Sequence, residues 1–403
     1  MDIILYEIKK LVRRPITIIA FLIVCCVFLM NIVLDENGEI VDIQAIEAEK
    51  VEKANYTGAI NEEWTNEIQV RLSQVINNPN NWMSKEERKE FTNSYLERGY
   101  TDEYIQNLPN NAFLTSQTLN SIQYRSLVEA ESAATFYENA KQVAVQKGDF
   151  YRKTFEGNKG EALASRAEEM YHDLGDQYVA NFGYNKGWIK LFSIQNRMPY
   201  TIGMFLIIVL TPIFSEEYSH KTLSSLFTSK YGKKRLIRSK IIAALVITTG
   251  TWLITHIVNI SLVALIYGLE GYGTFVQDWV FDFSPFLWTM GSTYIAVILM
   301  NLLGMYFFAS VALYVSTKTK NPFTTLVVSA LMLLFPTLIF NQFIPFLPAN
   351  ILIGQHHFRN FMGYYILGNV VLMQQLIPIL VILFSMVLIY RASKSFYKKQ
   401  VEN

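Results

Sequence analysis

The chain has 403 residues, 51% of them hydrophobic and 17% charged, with a formal net charge of +1. An average soluble chain carries about 25% charged residues. These values exclude a disordered chain, argue against an ordinary cytosolic enzyme, and fit a polytopic membrane protein with a sizeable water-soluble part. The two cysteines, Cys25 and Cys26, are adjacent in an apolar run and cannot staple an exported domain. That is the pattern expected of a bacterium that uses few exported disulfides.

A bilayer core of about 30 Å takes roughly 20 apolar residues in a helix. Six stretches read as spans: Thr17 to Leu34, Pro199 to Phe214, Ile241 to Leu269, Phe286 to Val315, Pro322 to Phe340 and Leu376 to Tyr390. The first follows a basic approach (Lys9, Lys10, Arg13, Arg14) but ends in Met30-Asn31-Ile32-Val33-Leu34, with no small-x-small cleavage site, so it reads as a retained helix.

Of the 35 Lys and Arg residues, 17 lie between positions 35 and 198. With the N-terminus inside and six crossings, every other one except Arg359 falls on the cytoplasmic side. Both termini are therefore expected inside, in the plasma membrane, and residues 35 to 198 outside. This exported segment holds 26 of the 34 acidic residues against 17 basic, about nine net negative charges.

The exported segment reads mainly as helix. Ile60, Trp64, Ile68, Leu72 and Val75 recur at helical spacing. Ser84-Lys85-Glu86-Glu87 forms a capping box. Thr115 to Gln146 contains no proline or glycine and can form one long helix, and Gly160 to Leu174 another. Breakers cluster at Asn77-Asn78-Pro79-Asn80-Asn81 and at Leu108-Pro109-Asn110-Asn111. The predicted fold class is an all-α polytopic membrane protein with six transmembrane helices and a mainly α-helical extracellular domain between the first two.

No catalytic signature is present. The sequence lacks G-x-x-x-x-G-K-[ST], H-E-x-x-H and G-x-S-x-G. The pair His356-His357 has no third ligand at compatible spacing and reads as a polar loop at the outer interface, so no metal site is expected. The basic residues outside the exported segment spread over four short juxtamembrane segments, as topology requires, so no nucleic-acid partner is implied.

The informative segment follows the second span: Ser215-Glu216-Glu217-Tyr218-Ser219-His220-Lys221-Thr222-Leu223-Ser224-Ser225-Leu226-Phe227, then a basic run to Lys240. It reads as an acidic turn and a short amphipathic helix with Leu223, Leu226 and Phe227 on one side. Such an element can offer a hydrophobic ridge to a soluble partner. It can equally be a snorkelling basic loop that only sets topology.

At these residues the sequence resembles the permease subunits of ABC transporters of the type-2 (ABC-2) exporter family. Glu217 takes the family's glutamate place, Thr222-Leu223 its Thr-Leu, Arg235 or Arg238 its arginine and Lys240 its lysine. Lys221 stands where a glycine is usual, and Lys230 or Tyr231 where a proline is. The approach Glu7 to Pro15 resembles the family's interfacial connecting helix. Phe343 to Gln374 resembles its pair of short helices dipping back into the outer leaflet. The resemblance covers residues 1 to 34 and 199 to 403.

The resemblance implies a chain with no ATPase of its own and no bound cofactor. ATP and Mg would be handled by a separate ABC ATPase subunit, two copies per complex, with a second permease, identical or homologous, completing the pathway. Glu216, Glu217, Lys221, Thr222, Leu223, Leu226 and Phe227 would form the ATPase-coupling helix. Within the spans, Thr248, Trp252, Thr255, His256, Asn259 and Asn301 are polar groups that either line the pathway or hydrogen-bond helices together. Tyr200, Thr201 and Thr211 are weaker candidates. A pathway walled by apolar and aromatic side chains suits an amphipathic peptide, a lipid-like molecule or a drug. The alternative reading is a membrane-anchored extracellular sensor or scaffold.

Overall fold

In the computed structural model, residues 2–34, 38–177, 180–220, 234–274, 276–277, 284–340 and 344–399 are described. Helix α1 (Asp2–Val12) is amphipathic and stops before Pro15, which occupies the first turn of α2 (Pro15–Val33). A proline is tolerated there because the first N–H groups of a helix have no intrahelical acceptor. The Thr17 hydroxyl donates to the Leu11 carbonyl at 2.9 Å and braces the corner. Along α2, Ala20, Val24, Phe28 and Ile32 recur every four residues and are buried, while Ile19, Leu22 and Met30 are exposed. One stripe therefore packs on protein and the rest faces outward, as a span at the rim of a bundle requires.

The region after α2 comprises α3 (Ile43–Ala54), β1 (Gly58–Ile60), α4 (Glu62–Ile76), α5 (Lys85–Glu97), α6 (Asp102–Gln106), α7 (Ser116–Leu119), α8 (Ile122–Thr154), α9 (Gly157–Gln177) and β2 (Ala180–Phe182). Side-chain caps set several of these starts: Asp42 for α3, Asn61 for α4, and the Ser84–Glu87 capping box for α5, as its sequence predicts. Trp64, Ile68 and Leu72 are buried on α4, whereas Ile60 belongs to β1, paired with Ala180 of β2. The expected helix from Thr115 divides at Asn120. The Ser121 hydroxyl accepts from the Tyr124 N–H at 3.2 Å and starts a new helix, which then runs through Gly148. That glycine sits where α8 meets α9, since a Cβ there would lie 1.9 Å from the Glu168 side chain.

Helices α8 and α9 form an antiparallel hairpin. Buried Ala140, Ala144, Ala164 and Ala167 let the two backbones approach. Arg152 clasps Glu161 (3.0 Å) and Glu168 (2.6 Å) across it.

The second span is longer than predicted. One helical run, α10, covers Lys186–Ser219, with a π turn at Pro199–Gly203. It therefore starts inside the segment read as the exported domain. Hydropathy missed this start because Lys186, Lys190 and Arg197 interrupt it. Lys190 nevertheless lies against the first span, donating to the Leu34 carbonyl at 2.7 Å, while Trp188, Leu191, Phe192 and Ile194 are buried.

Next come α11 (Lys234–Tyr267), α12 (Met290–Lys318), α13 (Pro322–Leu333), α14 (Phe335–Ile339), α15 (Pro348–Ile353), β3 (Gly363–Ile366), β4 (Asn369–Leu372) and α16 (Met373–Lys399). Helix α12 starts at Met290 rather than Phe286, because Thr289 and Ser292 form its capping box.

Among the described residues, five helices are long and apolar enough to cross a membrane: α2, α10, α11, α12 and α16. The stretch predicted as the fifth span is instead split at Leu334, ahead of Pro336, into α13 and α14.

Between α14 and α16 lie one short helix, α15, a 3-10 turn at Gln355–His357 and the β3–β4 hairpin, rather than a pair of helices alone. The hairpin turns at Leu367 and Gly368, both at positive φ. The histidine pair lies inside this element and not in a surface loop: His357 is fully buried. Helix α15 presses on α12 at Gly304, where a Cβ would come within 2.7 Å of the Leu352 backbone. The α8–α9 hairpin rests on the segment between α15 and β3, with the Tyr151 hydroxyl donating to the Phe361 carbonyl at 3.1 Å.

Candidate functional site: an ionic cluster at the ends of the spans

Helix α10 bends at Thr211-Pro212. Proline has no N–H and cannot continue the helical ladder, so nearby backbone groups need other partners. Ser316 of α12 supplies them: its hydroxyl accepts from the N–H groups of Phe214 (3.1 Å) and Ser215 (3.0 Å) and donates to the Thr211 carbonyl (2.6 Å). Phe396 of α16 closes the other side, its ring 4.7 Å from Phe214 and 5.7 Å from Tyr218. The last turn of α10 is thus fixed, and with it Glu216 and Glu217.

Both carboxylates turn inward. Lys240, fully buried at the start of the third span, donates to Glu217 and to Glu7 of α1, each at 2.9 Å. Lys10 reaches Glu217 at 2.8 Å and Glu216 at 3.1 Å. Arg14 pairs with Glu216. Three acids and three bases from α1, the corner before α2, α10 and α11 therefore balance. Burial acts to lower the Lys10 pKa, but Glu217 and Glu216 outweigh it and hold the ammonium above its ordinary value. Removing one member of such a set strands its partners, which costs far more than losing an exposed pair.

The predicted residues Lys221, Thr222, Leu223, Leu226 and Phe227 lie outside the described residues. The described chain leaves α10 at His220 and re-enters at Lys234, so the ionic cluster stands at both ends of that segment. Sequence reasoning missed Glu7, Lys10 and Arg14 as partners of Glu216 and Glu217. The signal was present: a short helix carrying both signs beside a span, and a lysine at the entry of another.

A second polar set lies deeper. His256 is buried, its Nε2 3.1 Å from Asn301 Oδ1, and Asn301 Nδ2 donates to the Leu352 carbonyl of α15 at 2.6 Å. The Tyr294 hydroxyl is 3.4 Å from His256 Nδ1, and Gln195 reaches Tyr294 at 3.4 Å. Trp252 donates to the Ile298 carbonyl at 2.9 Å. Thr248 bonds back to Ala244, and Thr255 and Asn259 are buried on the same helix. The predicted polar residues thus sit between helices, and His256, Asn301 and Trp252 make cross-helix bonds. Thr201 and Thr211 are buried, whereas Tyr200 is half exposed. Tyr294 and Gln195 were missed because isolated Tyr and Gln carry no spacing signal. No group of three or more potential metal ligands occurs among the described residues.

No curated protein and no solved structure matches the chain. A family model described as "ABC-2 family transporter protein" matches residues 1–377. The match takes in residues 35 to 198, which by sequence alone resembled nothing, as well as the spans. With an ionic cluster tying the N-terminal helix to the ends of two apolar spans, and a family match over nearly its whole length, the chain belongs to the ABC-2 family of transporter proteins.

Proposed function

We propose that this chain is the permease of an ATP-driven exporter, carrying an amphipathic or hydrophobic substrate and driven by a separate ATPase subunit that docks on residues 221–233. The observation that carries this reading is the Glu7–Lys240–Glu217–Lys10 cluster. It joins α1, the end of α10 and the start of α11 into one rigid base from which the proposed docking segment leaves. A push on that segment is then delivered to two spans and α1 together, as rigid-body rocking requires.

Glu216 and Glu217 serve this base from within, and the ATPase-facing contact falls to Leu223, Leu226 and Phe227. The pathway is completed by a second permease, identical or related. Six crossings keep both termini inside. Helices α13 and α14 make the fifth, their combined run from 322 to 339 reaching about 27 Å at 1.5 Å per residue. The test is reconstitution with the partner ATPase in vesicles. Leu223→Ala should leave ATP hydrolysis running but uncoupled from transport. Coupled, wild-type transport in that variant refutes the assignment.

A further inference from the structure

A cavity of about 390 Å³ opens between α1, α2, α10 and α11. Ile8, Val12, Phe21, Phe205, Val246 and Gly250 line it, and its walls are almost wholly apolar. The Thr17 hydroxyl on its wall is already satisfied by the Leu11 carbonyl. The lining side chains Ile18 and Ile254 are exposed. A volume of this order lies in the range of small-molecule pockets, about 300 to 1,000 Å³.

Basic residues adjoin the α1 wall of this cavity in the chain: Lys9 follows Ile8, and Arg13 and Arg14 follow Val12. Lys9 and Arg13 are exposed and, among the described residues, have no carboxylate partner. Arg14 pairs with Glu216 through one terminal nitrogen, while its Nη1 is buried without a hydrogen bond. The six charges of the ionic cluster cancel, so Lys9 and Arg13 are a positive surplus. An apolar slot between spans, with the unpaired Lys9 and Arg13 and the half-satisfied Arg14 next in the chain to its wall residues, matches an acyl chain joined to an anionic phosphate.

We propose that this cavity holds one acyl chain of an anionic phospholipid from the cytoplasmic leaflet, with its phosphate on Arg13 and Arg14. The lipid is resident and not cargo. It wedges α1 against α2, α10 and α11, beside the ionic cluster. The inference stands on the cavity and its charges and does not require the coupling assignment.

Gly250 gives a direct test. It lines the cavity, and a Cβ built there meets no atom within 4 Å, so a larger side chain fills the slot without clashing at its root. The full chain is purified in mild detergent, and phosphatidylglycerol or phosphatidylcholine is titrated in, with bound lipid counted by native mass spectrometry. Wild type and Gly250→Ala should hold one tight phosphatidylglycerol. Gly250→Phe, and independently Thr251→Leu, should lose it. Arg13→Gln should weaken phosphatidylglycerol about fivefold and leave phosphatidylcholine unchanged, a basic group at an anionic headgroup being worth about 1 kcal/mol. Equal lipid retention in all variants overturns the proposal, as does loss in Arg13→Gln with full retention in both filled variants. Cross-linking between two copies through a cysteine at Ile18 also overturns it, because a second copy would then cover the slot.

Discussion

Lys240 Nζ lies 2.9 Å from Glu217 Oε1, and the lysine is fully buried. The same ammonium holds Glu7, 233 positions earlier in the chain, at the same distance. A buried cation with two carboxylates from different helices fixes the register of all three helices at once.

Replacing Lys240 with Met leaves Glu7 and Glu217 facing each other without their shared cation. The expected loss is about 3 to 5 kcal/mol, the usual cost of stranding a buried charge. Thermal unfolding of the purified chain should show a large drop. Adding Glu7→Gln to Lys240→Met should recover part of it, because the two sites couple. Strict additivity would mean that the pair does not interact in the membrane-embedded protein.

Glu217→Gln keeps the shape of the side chain but removes the charge that Lys10 and Lys240 share. The protein should still insert and assemble with its ATPase, yet transport per ATP hydrolysed should fall. Paired measurements of phosphate release and transport in the same vesicles decide it. An unchanged ratio removes Glu217 from the coupling base.

Asn301 joins His256 to the Leu352 carbonyl. Asn301→Leu removes both bonds, each worth about 0.6 kcal/mol on average inside a membrane and at most about 1.7. A stability loss of that size with unchanged substrate selectivity identifies Asn301 as a packing residue. Altered selectivity at unchanged stability would place it on the pathway instead.

In α3, burial acts to raise the Glu49 pKa, but Lys53 and Lys186 outweigh it and hold the carboxylate below its ordinary 4.5. A depressed folded value contributes stability that is present above the unfolded value and is lost as pH falls through the folded one. The protection of α3 amides against hydrogen exchange, taken relative to the intrinsic rate at each pH, should therefore be high at neutral pH and fall on acidification below about 4.5, the ordinary carboxylate value. Glu49→Gln should flatten that dependence. An unchanged pH profile in the variant would show that this pair does not anchor α3.

Much of this was legible in the sequence, because spans are written in composition. The apolar runs marked α2, α11, α12 and α16, and the Ser84–Glu87 box marked the start of α5. The start of α10 was hidden because its lysines and arginine sit among apolar residues that are buried by tertiary contact. The break at Asn120 was hidden because the stretch contains no proline or glycine; the signal lay in the Ser, Thr and Asn residues around it, which favour caps, and Ser121 caps the new helix. In the site, Glu217 and Lys240 were visible as individual charges, but their contact was not: only the folding of α1 back under the spans brings Glu7 and Lys10 to them. His256 and Asn301 were visible as polar residues in apolar helices, whereas Leu352, which accepts through its backbone, carried no signal.

The most direct test of ATPase-driven transport is to isolate the chain from its native membrane into nanodiscs, cross-link its lysines and identify the partners by mass spectrometry. The expected result is a stoichiometric ATPase with a phosphate-binding loop, cross-linked to Lys221, Lys230, Lys233 or Lys234. Isolation without any ATPase, or with one cross-linked only elsewhere, would contradict the assignment and favour a membrane-anchored sensor.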